Sequence, residues 1–349
     1  MVNTQKASII TKLKALKNIY LLSSKEIDTF IDSFKLFDKE DGFSDKNDWE
    51  AGKQHATFIM NSEDTQKVVD YYGVINMLCA LGNVEKMYIP PVLNIKKSVF
   101  ENQILFEEKL ADTLKINKDS IALELGCGVG RIAEHISDYT GATVHGINID
   151  PVQIKLAKKY HDKSQNLHFH IANFNEPLPF PDEMFDAVYS IQPLTYTHNL
   201  NVLFKEILRV LKPKGRCCYL EAVMKGNFDG RDEKHLKLLR ECRQVTGMGG
   251  FWFQNSEGGF FTNAMESSGF EILENYEMSK GGNQGPLIKK EMQNFKGMER
   301  VARLLSKVPF LIPKHIFILF DRLNYGIDSF IEMDKLEMYT TSWFISAVK

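Results

Sequence analysis

With 349 residues, 44% of them hydrophobic, the chain can bury a large core in one big domain or two small ones. Lys and Arg number 43 against 45 Asp and Glu, a formal net charge of -2, so the basic footprint of a nucleic-acid binder is missing and no polyanionic partner is expected. Five cysteines, Cys79, Cys127, Cys217, Cys218 and Cys242, stand without CxxC or CxxH spacing, which argues against a disulfide framework or a zinc site and suits a reducing compartment.

The segment Ala7 to Leu22 is apolar but interrupted by Lys12, Lys14 and Lys17, which the apolar region of a signal peptide does not tolerate. No uninterrupted apolar run approaches the roughly 18 residues needed to span a bilayer. A cytoplasmic protein is expected, with the endoplasmic reticulum or another lipid surface left open as a peripheral site. Ile9, Leu13, Leu16 and Tyr20 recur at helical spacing, as do Val68, Tyr71, Tyr72, Ile75 and Leu78. Residues 1–116 therefore read as a helical cap, with Pro90-Pro91 as a break and a further helix from about Val99 to Leu114. The basic first helix either caps the domain or lies on lipid with its apolar stripe inward.

Residues 117–279 alternate strands with amphipathic helices. Strands are expected at Ile121–Leu125, Thr143–Ile147, Leu167–Ile171, Phe185–Ile191, Arg216–Val223 and Phe270–Met278. Helices are expected at Arg131–Tyr139, at Val152–Tyr160 behind Pro151, and along the stripe Leu200, Leu203, Phe204, Ile207 and Leu211, which Lys212-Pro213-Lys214-Gly215 ends. This alternation is the pattern of a parallel α/β sheet. Residues 280–336 return to helical texture rich in aromatics and methionine. Residues 337–349 carry a last strand, Met338–Val348, expected to rejoin the sheet beside Phe270–Met278. The fold expected is α/β: a doubly wound, seven-stranded, mostly parallel sheet with an N-terminal helical region and a helical insertion before the last strand.

At the end of the first strand stands Glu124-Leu125-Gly126-Cys127-Gly128-Val129-Gly130-Arg131. Glycines at alternate positions let backbone turn sharply and approach a ligand closely, and the helix that follows offers free N–H groups. Open α/β sheets bind cofactors at such turns, outside the carboxyl ends of the strands. The dinucleotide fingerprint requires glycine where Arg131 stands. An acid followed by glycines at every second position instead resembles motif I of class I S-adenosylmethionine-dependent methyltransferases.

That resemblance implies a cofactor site made of Glu124, Gly126, Cys127, Gly128 and Gly130. It adds Asn148, Ile149, Asp150 and Gln153 after the second strand, where Asn148 replaces the acid that usually holds the ribose hydroxyls. Ala172-Asn173-Phe174 matches the adenine segment, with Asn173 in place of aspartate, and Gln192 follows the fourth strand. Gly146-Ile147-Asn148 with Gln153, the run Leu211–Gly215, Glu221-Ala222-Val223-Met224, and Asp229 with His235 resemble sterol C-24 methyltransferases and their relatives, as does Glu107, implied as a further cofactor contact. The resemblance covers about residues 66–348. Where that group carries an aromatic cluster suited to a carbocation, this chain reads Leu78-Cys79-Ala80-Leu81-Gly82-Asn83, without a ring. In this it is similar to the nematode-type sterol ring methyltransferases, which alkylate C-4, where enolisation makes the acceptor nucleophilic.

For proton removal the candidates are Glu221 at the carboxyl end of the fifth strand, His198 in the loop after the fourth, and Tyr88. Tyr196 is a candidate substrate contact, while Tyr71 and Tyr72 read as helix-packing residues. Phe251, Trp252 and Phe260 belong to an aromatic patch, Phe251-Trp252-Phe253 with Phe260-Phe261, beside Gly247, Gly249 and Gly250. The patch is either core or an apolar lid over substrate. Val308–Ile312 and Ile316–Phe320 are more apolar than a surface helix requires and suit a pocket roof, a dimer contact or a membrane contact. The expected partner is a hydrophobic, sterol-like small molecule with S-adenosylmethionine as cofactor; no metal and no nucleic acid are expected, and membrane contact and a homo-oligomer stay open. Methylation of a fatty acyl chain, and a non-catalytic sterol carrier supported by Asn148 and Asn173, are the competing readings.

Overall fold

The strand and helix periods of the sequence become a central sheet in the computed structural model, which describes residues 9–37, 64–81, 86–250, 252–305 and 313–349. Strands β1 (Ile121–Leu125), β2 (Thr143–Asn148), β3 (Leu167–Ile171), β4 (Phe185–Ile191) and β5 (Leu211–Met224) pair in parallel in the order β3-β2-β1-β4-β5. The chain runs outward from β1 to β3 and then returns to β4, so β1 and β4 flank the topological switch point where open sheets hold ligands. The first strand is buried without alternation, because helices cover both faces of the sheet.

Two helices begin as the local chemistry requires. Helix α6 (Pro151–Tyr160) starts on Asp150, whose side chain accepts from the Val152 N–H, with Pro151 in the first turn. Helix α7 (Leu200–Val210) starts on Asn199, which accepts from Asn201 and Val202. Helix α5 (Arg131–Thr140) follows the glycine turn directly, and its preceding residue Gly130 is left-handed. Helix α4 (Val99–Leu114) is opened by a reciprocal cap between Ser98 and Glu101. Its buried Phe106, Leu110 and Leu114 join Ile136 of α5 and Ile154 of α6 in a core on one face of the sheet. On the other face Leu203, Phe204 and Ile207 of α7 pack with Phe185, Tyr219 and Ile345.

The last strand, β9 (Tyr339–Val348), inserts antiparallel between β5 and β8 (Glu271–Glu277). It pairs with β8 as the sequence implied, and additionally becomes an interior strand against β5. Among the described residues the sheet nonetheless has nine strands where seven were expected. The extra two are a small hairpin, β6 (Trp252–Asn255) and β7 (Gly258–Gly259), and β6 pairs with Val223 and Met224 at the end of β5. Because β5 outruns β4, its free edge accepts a further strand there. The expected turn Lys212–Gly215 is likewise absorbed into β5, as an irregularity with Lys214 left-handed at φ 64°.

Further helices surround this sheet. Helices α1 (Ile9–Tyr20), α2 (Ser24–Ser33) and α3 (Asp64–Leu81) enclose a cluster of Ile19, Phe30, Phe34, Phe37, Val68, Tyr71 and Ile75. Helices α8 (Glu233–Thr246) and α9 (Phe260–Ser268), which the sequence analysis did not mark, follow β5 and the hairpin. Helices α10 (Gln284–Leu305), α11 (Lys314–Asn324) and α12 (Ile327–Lys335) fill the insertion before β9, with α12 against α8 and Leu319 of α11 buried in the N-terminal cluster. Val308–Ile312 lies outside the described residues.

Candidate active site

A pocket opens at the carboxyl ends of β1, β2, β3 and β4, under α3. Gly126, Cys127 and Gly128 form its floor, and all three glycines of the turn are left-handed, with φ of 73°, 54° and 80° at Gly126, Gly128 and Gly130. Their roles differ. A Cβ on Gly128 would meet only the Gln153 Oε1, at 3.2 Å, so bare backbone faces the pocket there. A Cβ on Gly130 would lie 2.4 Å from the Phe169 ring, and Gly130 does not border the pocket. It is a packing glycine, a correction to its expected place among the cofactor contacts.

The second and third strands lead into the amides Asn148 and Asn173. The Asn148 side chain accepts from the Asp150 N–H at 3.0 Å and donates to Gln153 Oε1 at 3.3 Å. Ile149, Asp150 and Gln153 border the same space, although the carboxylate of Asp150 is occupied in capping α6. Asn173 and Phe174 border it after β3, with Asn173 Oδ1 accepting from Asn175 N at 3.0 Å. Amide side chains can both donate and accept, so Asn148, Gln153 and Asn173 keep hydrogen-bonding capacity without negative charge.

After β4 the chain turns through Gln192, left-handed at φ 63°. Its side chain donates to the carbonyls of Ile89 and Thr341, both at 2.7 Å, and accepts from Ile89 N. Gln192 borders the pocket while tying the N-terminal region to β9. Tyr196 and His198 complete this wall. The Tyr196 hydroxyl faces that of Tyr72 at 3.2 Å and donates to the Gly247 carbonyl. His198 has a buried Nε2 with no hydrogen-bond partner, and burial lowers its pKa, so its imidazole is neutral at neutral pH.

Tyr72 was expected to pack within its helix, as Tyr71 does against Phe30, Phe34 and Phe37. It instead faces the pocket with Thr65, Val68, Val69 and Asn76, one stripe of α3. The helical period was legible in the sequence; which stripe met the pocket was not.

Tyr88 also borders the pocket, and behind it lies a buried ionic cluster. Glu107 of α4 accepts from Tyr88 at 2.7 Å, from Lys86 at 2.5 Å and contacts His135 Nδ1 of α5 at 2.6 Å. Three partners occupy this carboxylate, and Glu107 does not border the pocket, contrary to its expected role as a cofactor contact. Its partner Lys86, which carries no motif signal in the sequence, does. Glu124 is also behind the wall. It is fully buried beneath the turn, where burial and the nearby Glu107 raise its pKa to about 8, with Tyr189 donating at 3.4 Å. It does not border the pocket.

Glu221 does not border the pocket either. It is buried in β5, accepts from Ser190 Oγ at 3.0 Å and Leu194 N at 3.4 Å, and burial lifts its pKa to about 8. A carboxyl protonated at neutral pH and walled from the pocket is poorly suited to be the base. Trp252 and Phe260 are in contact with each other and border a second cleft with Met224 and Phe253, which meets the first only at His198. They are not brought to the glycine turn, and Trp252, Phe253 and Phe261 are buried core residues, not a lid. Phe251 lies outside the described residues, as do Gly82 and Asn83.

Residues 123–219 match the family described as a methyltransferase domain. A sterol 24-C-methyltransferase of Pneumocystis carinii is 30% identical over 247 residues, 64% of this chain and 64% of that protein. A sterol 24-C-methyltransferase of Aspergillus fumigatus is 33% identical over 176 residues, 50% of this chain and 45% of that protein. The chain thus spans less than two thirds of the length of these relatives. Among solved structures, the cyclase SpnF aligns with a TM-score of 0.62 at 20% identity, covering 82% of this chain and 96% of its own. The cyclopropane synthase MmaA2 of Mycobacterium tuberculosis aligns with a TM-score of 0.60 at 13% identity, covering 76% and 90%. The fold is that of the class I methyltransferases.

Proposed function

We propose that this chain, which carries a methyltransferase domain over residues 123–219, is an S-adenosylmethionine-dependent C-methyltransferase acting on a sterol or sterol-like lipid. The observation that carries the reading is the pocket itself. Bare backbone at Gly128 and a ring of amides at Asn148, Gln153 and Asn173 occupy its cofactor side, and Tyr72, Val68, Val69 and Tyr196 occupy its other wall. The first set suits a nucleoside and the second an apolar acceptor. The similarity to sterol 24-C-methyltransferases supports that acceptor class.

When bound, the cofactor supplies an electrophilic methyl on sulfur. The chain's own residues have three tasks. The glycine turn and the amides hold the nucleoside. The stripe of α3 and Tyr196 exclude water, so that the acceptor carbon is held in a dry, oriented site. His198, neutral and with Nε2 unpartnered, takes the proton that the acceptor carbon releases. No ring of the kind suited to a carbocation stands in Leu78–Asn83, which favours an acceptor made nucleophilic by enolisation.

The same reading places the protein in the cytoplasm, resting on a lipid surface where such an acceptor resides. Helix α1 carries Leu13, Leu16 and Tyr20 exposed at 61%, 48% and 43%, with Leu21 beyond it at 63%. Lys14 and Lys17 flank this stripe, a combination that fits an anionic bilayer surface. Among the described residues no helix is long and apolar enough to cross a membrane.

Purified protein is incubated with labelled S-adenosylmethionine and a panel of 3-keto, 3-hydroxy and side-chain-unsaturated sterols together with phospholipids, and mass spectrometry locates any added methyl. Label on a sterol carbon supports the proposal. Label on acyl chains alone, or cofactor binding without turnover on any member, overturns it in favour of an acyl methyltransferase or a carrier.

A further inference from the structure

We propose that Lys86 is the anchor for the carboxylate at the amino-acid end of the bound cofactor, and that Glu107 is the positioning residue that aims it. This rests on the reading that the pocket receives S-adenosylmethionine. Lys86 is 3% exposed yet borders the pocket, beside Met87 and Tyr88. Burying an ammonium is costly unless it is paired, and Glu107 Oε2 at 2.5 Å supplies the pair. An ammonium has three donors; the Glu107 contact uses one, and the same ammonium lies 5.7 Å over the Phe100 ring, which leaves capacity for a ligand oxygen.

The other lysine or arginine among the described lining residues is Arg131. It is turned toward α5 and α6, bonded to Glu134 at 3.1 Å and stacked 5.0 Å over the Tyr160 ring. Lys86 is therefore the cation placed to meet an anionic group. A carboxylate is the one anionic group on this cofactor, and its sulfonium is repelled by an ammonium. The cluster consequently fixes polarity. The amino-acid end lies toward the Lys86–Tyr88 segment, and the adenosine toward Asn148, Gln153 and Asn173.

Glu107 acts at one remove. One oxygen takes Lys86 and His135 and the other takes Tyr88, so two side chains that reach the pocket are locked by one carboxylate on α4 that does not. Gln103 on the same helix holds the flanking backbone, donating to the carbonyls of Lys86 and Tyr88 at 3.1 and 2.9 Å. The segment is built as a fixed wall, which is what a charge-assisted contact needs to be worth its desolvation.

The test is calorimetric binding of three ligands: S-adenosylmethionine, S-adenosylhomocysteine, and 5′-methylthioadenosine, which lacks the amino-acid end. The proteins are wild type, Lys86→Gln, and Lys86→Met combined with Glu107→Gln, the last removing both buried charges together. Expected is a loss of about ten- to a hundredfold in affinity for the first two ligands in both variants, with 5′-methylthioadenosine bound as by wild type. Unchanged affinity for the first two, or an equal loss for all three, overturns the assignment while leaving the cofactor reading intact. Wild-type protein that binds none of the three overturns both.

Discussion

Replacing Gly128 by valine separates a glycine that serves the ligand from one that serves the fold. At φ 54° a side chain at 128 is strained, and left-handed backbone costs about 1–2 kcal/mol for an ordinary residue. Space is less of a problem for the fold: the nearest atom to a new Cβ is the flexible amide end of Gln153, at 3.2 Å. The valine methyls must instead occupy the pocket where backbone now borders it. A loss of at least about a hundredfold in S-adenosylmethionine affinity is expected, about 2.7 kcal/mol, with melting lowered by only a few degrees. Gly130→Ala is the internal comparison. There a Cβ meets ring carbons of Phe169 at 2.4 and 2.6 Å with φ 80°, so strain and overpacking together cost about 2–5 kcal/mol. That variant is expected to melt much earlier and, below its transition, to bind cofactor nearly as wild type does. Calorimetric titration and thermal melting of both proteins make the comparison. Wild-type affinity in Gly128→Val would refute the assignment of the turn to a ligand, whatever its stability.

Other outcomes follow from the buried groups and the exposed helix. His198→Ala is expected to lower methyl transfer by about 10²–10⁴-fold with calorimetric cofactor affinity unchanged; wild-type turnover removes His198 as the base. Glu221, with its pKa raised from 4.5 to about 8 by burial, binds its proton more tightly folded than unfolded. Its contribution is complete below pH 4.5 and is lost as pH rises through 8. Glu221→Gln should therefore match wild type in melting near pH 4.5 and exceed it near pH 8.5; parallel curves would show that the carboxyl is not held protonated. Leu13→Glu combined with Leu16→Glu should abolish co-sedimentation with vesicles of phosphatidylcholine and phosphatidylserine. Retained sedimentation, or a shift from dimer to monomer in light scattering without any vesicle binding in wild type, assigns that stripe to something other than lipid.

What the sequence determined by itself was set by local rules. Strand runs, helical stripes and caps depend on neighbours within a few residues, so β1 to β4, α4 and α6 stand within a residue of where periodicity, Pro151 and the glycine turn put them. The turn itself was legible because glycine at alternate positions has few other uses, and its place after β1 fixed the pocket at the switch point. Burial and pairing were decided only by the tertiary structure, because they depend on residues far apart in the chain. Glu107, Glu124 and Glu221 looked like site acids; packing put each behind the wall, and desolvation pushed the last two toward their neutral forms. Lys86 carried no local signal, since its meaning comes from a carboxylate on α4, 21 residues on. Tyr72 and Tyr71 are adjacent in one helix, and only the docking of α3 over the sheet sent one ring to the core and the other to the pocket.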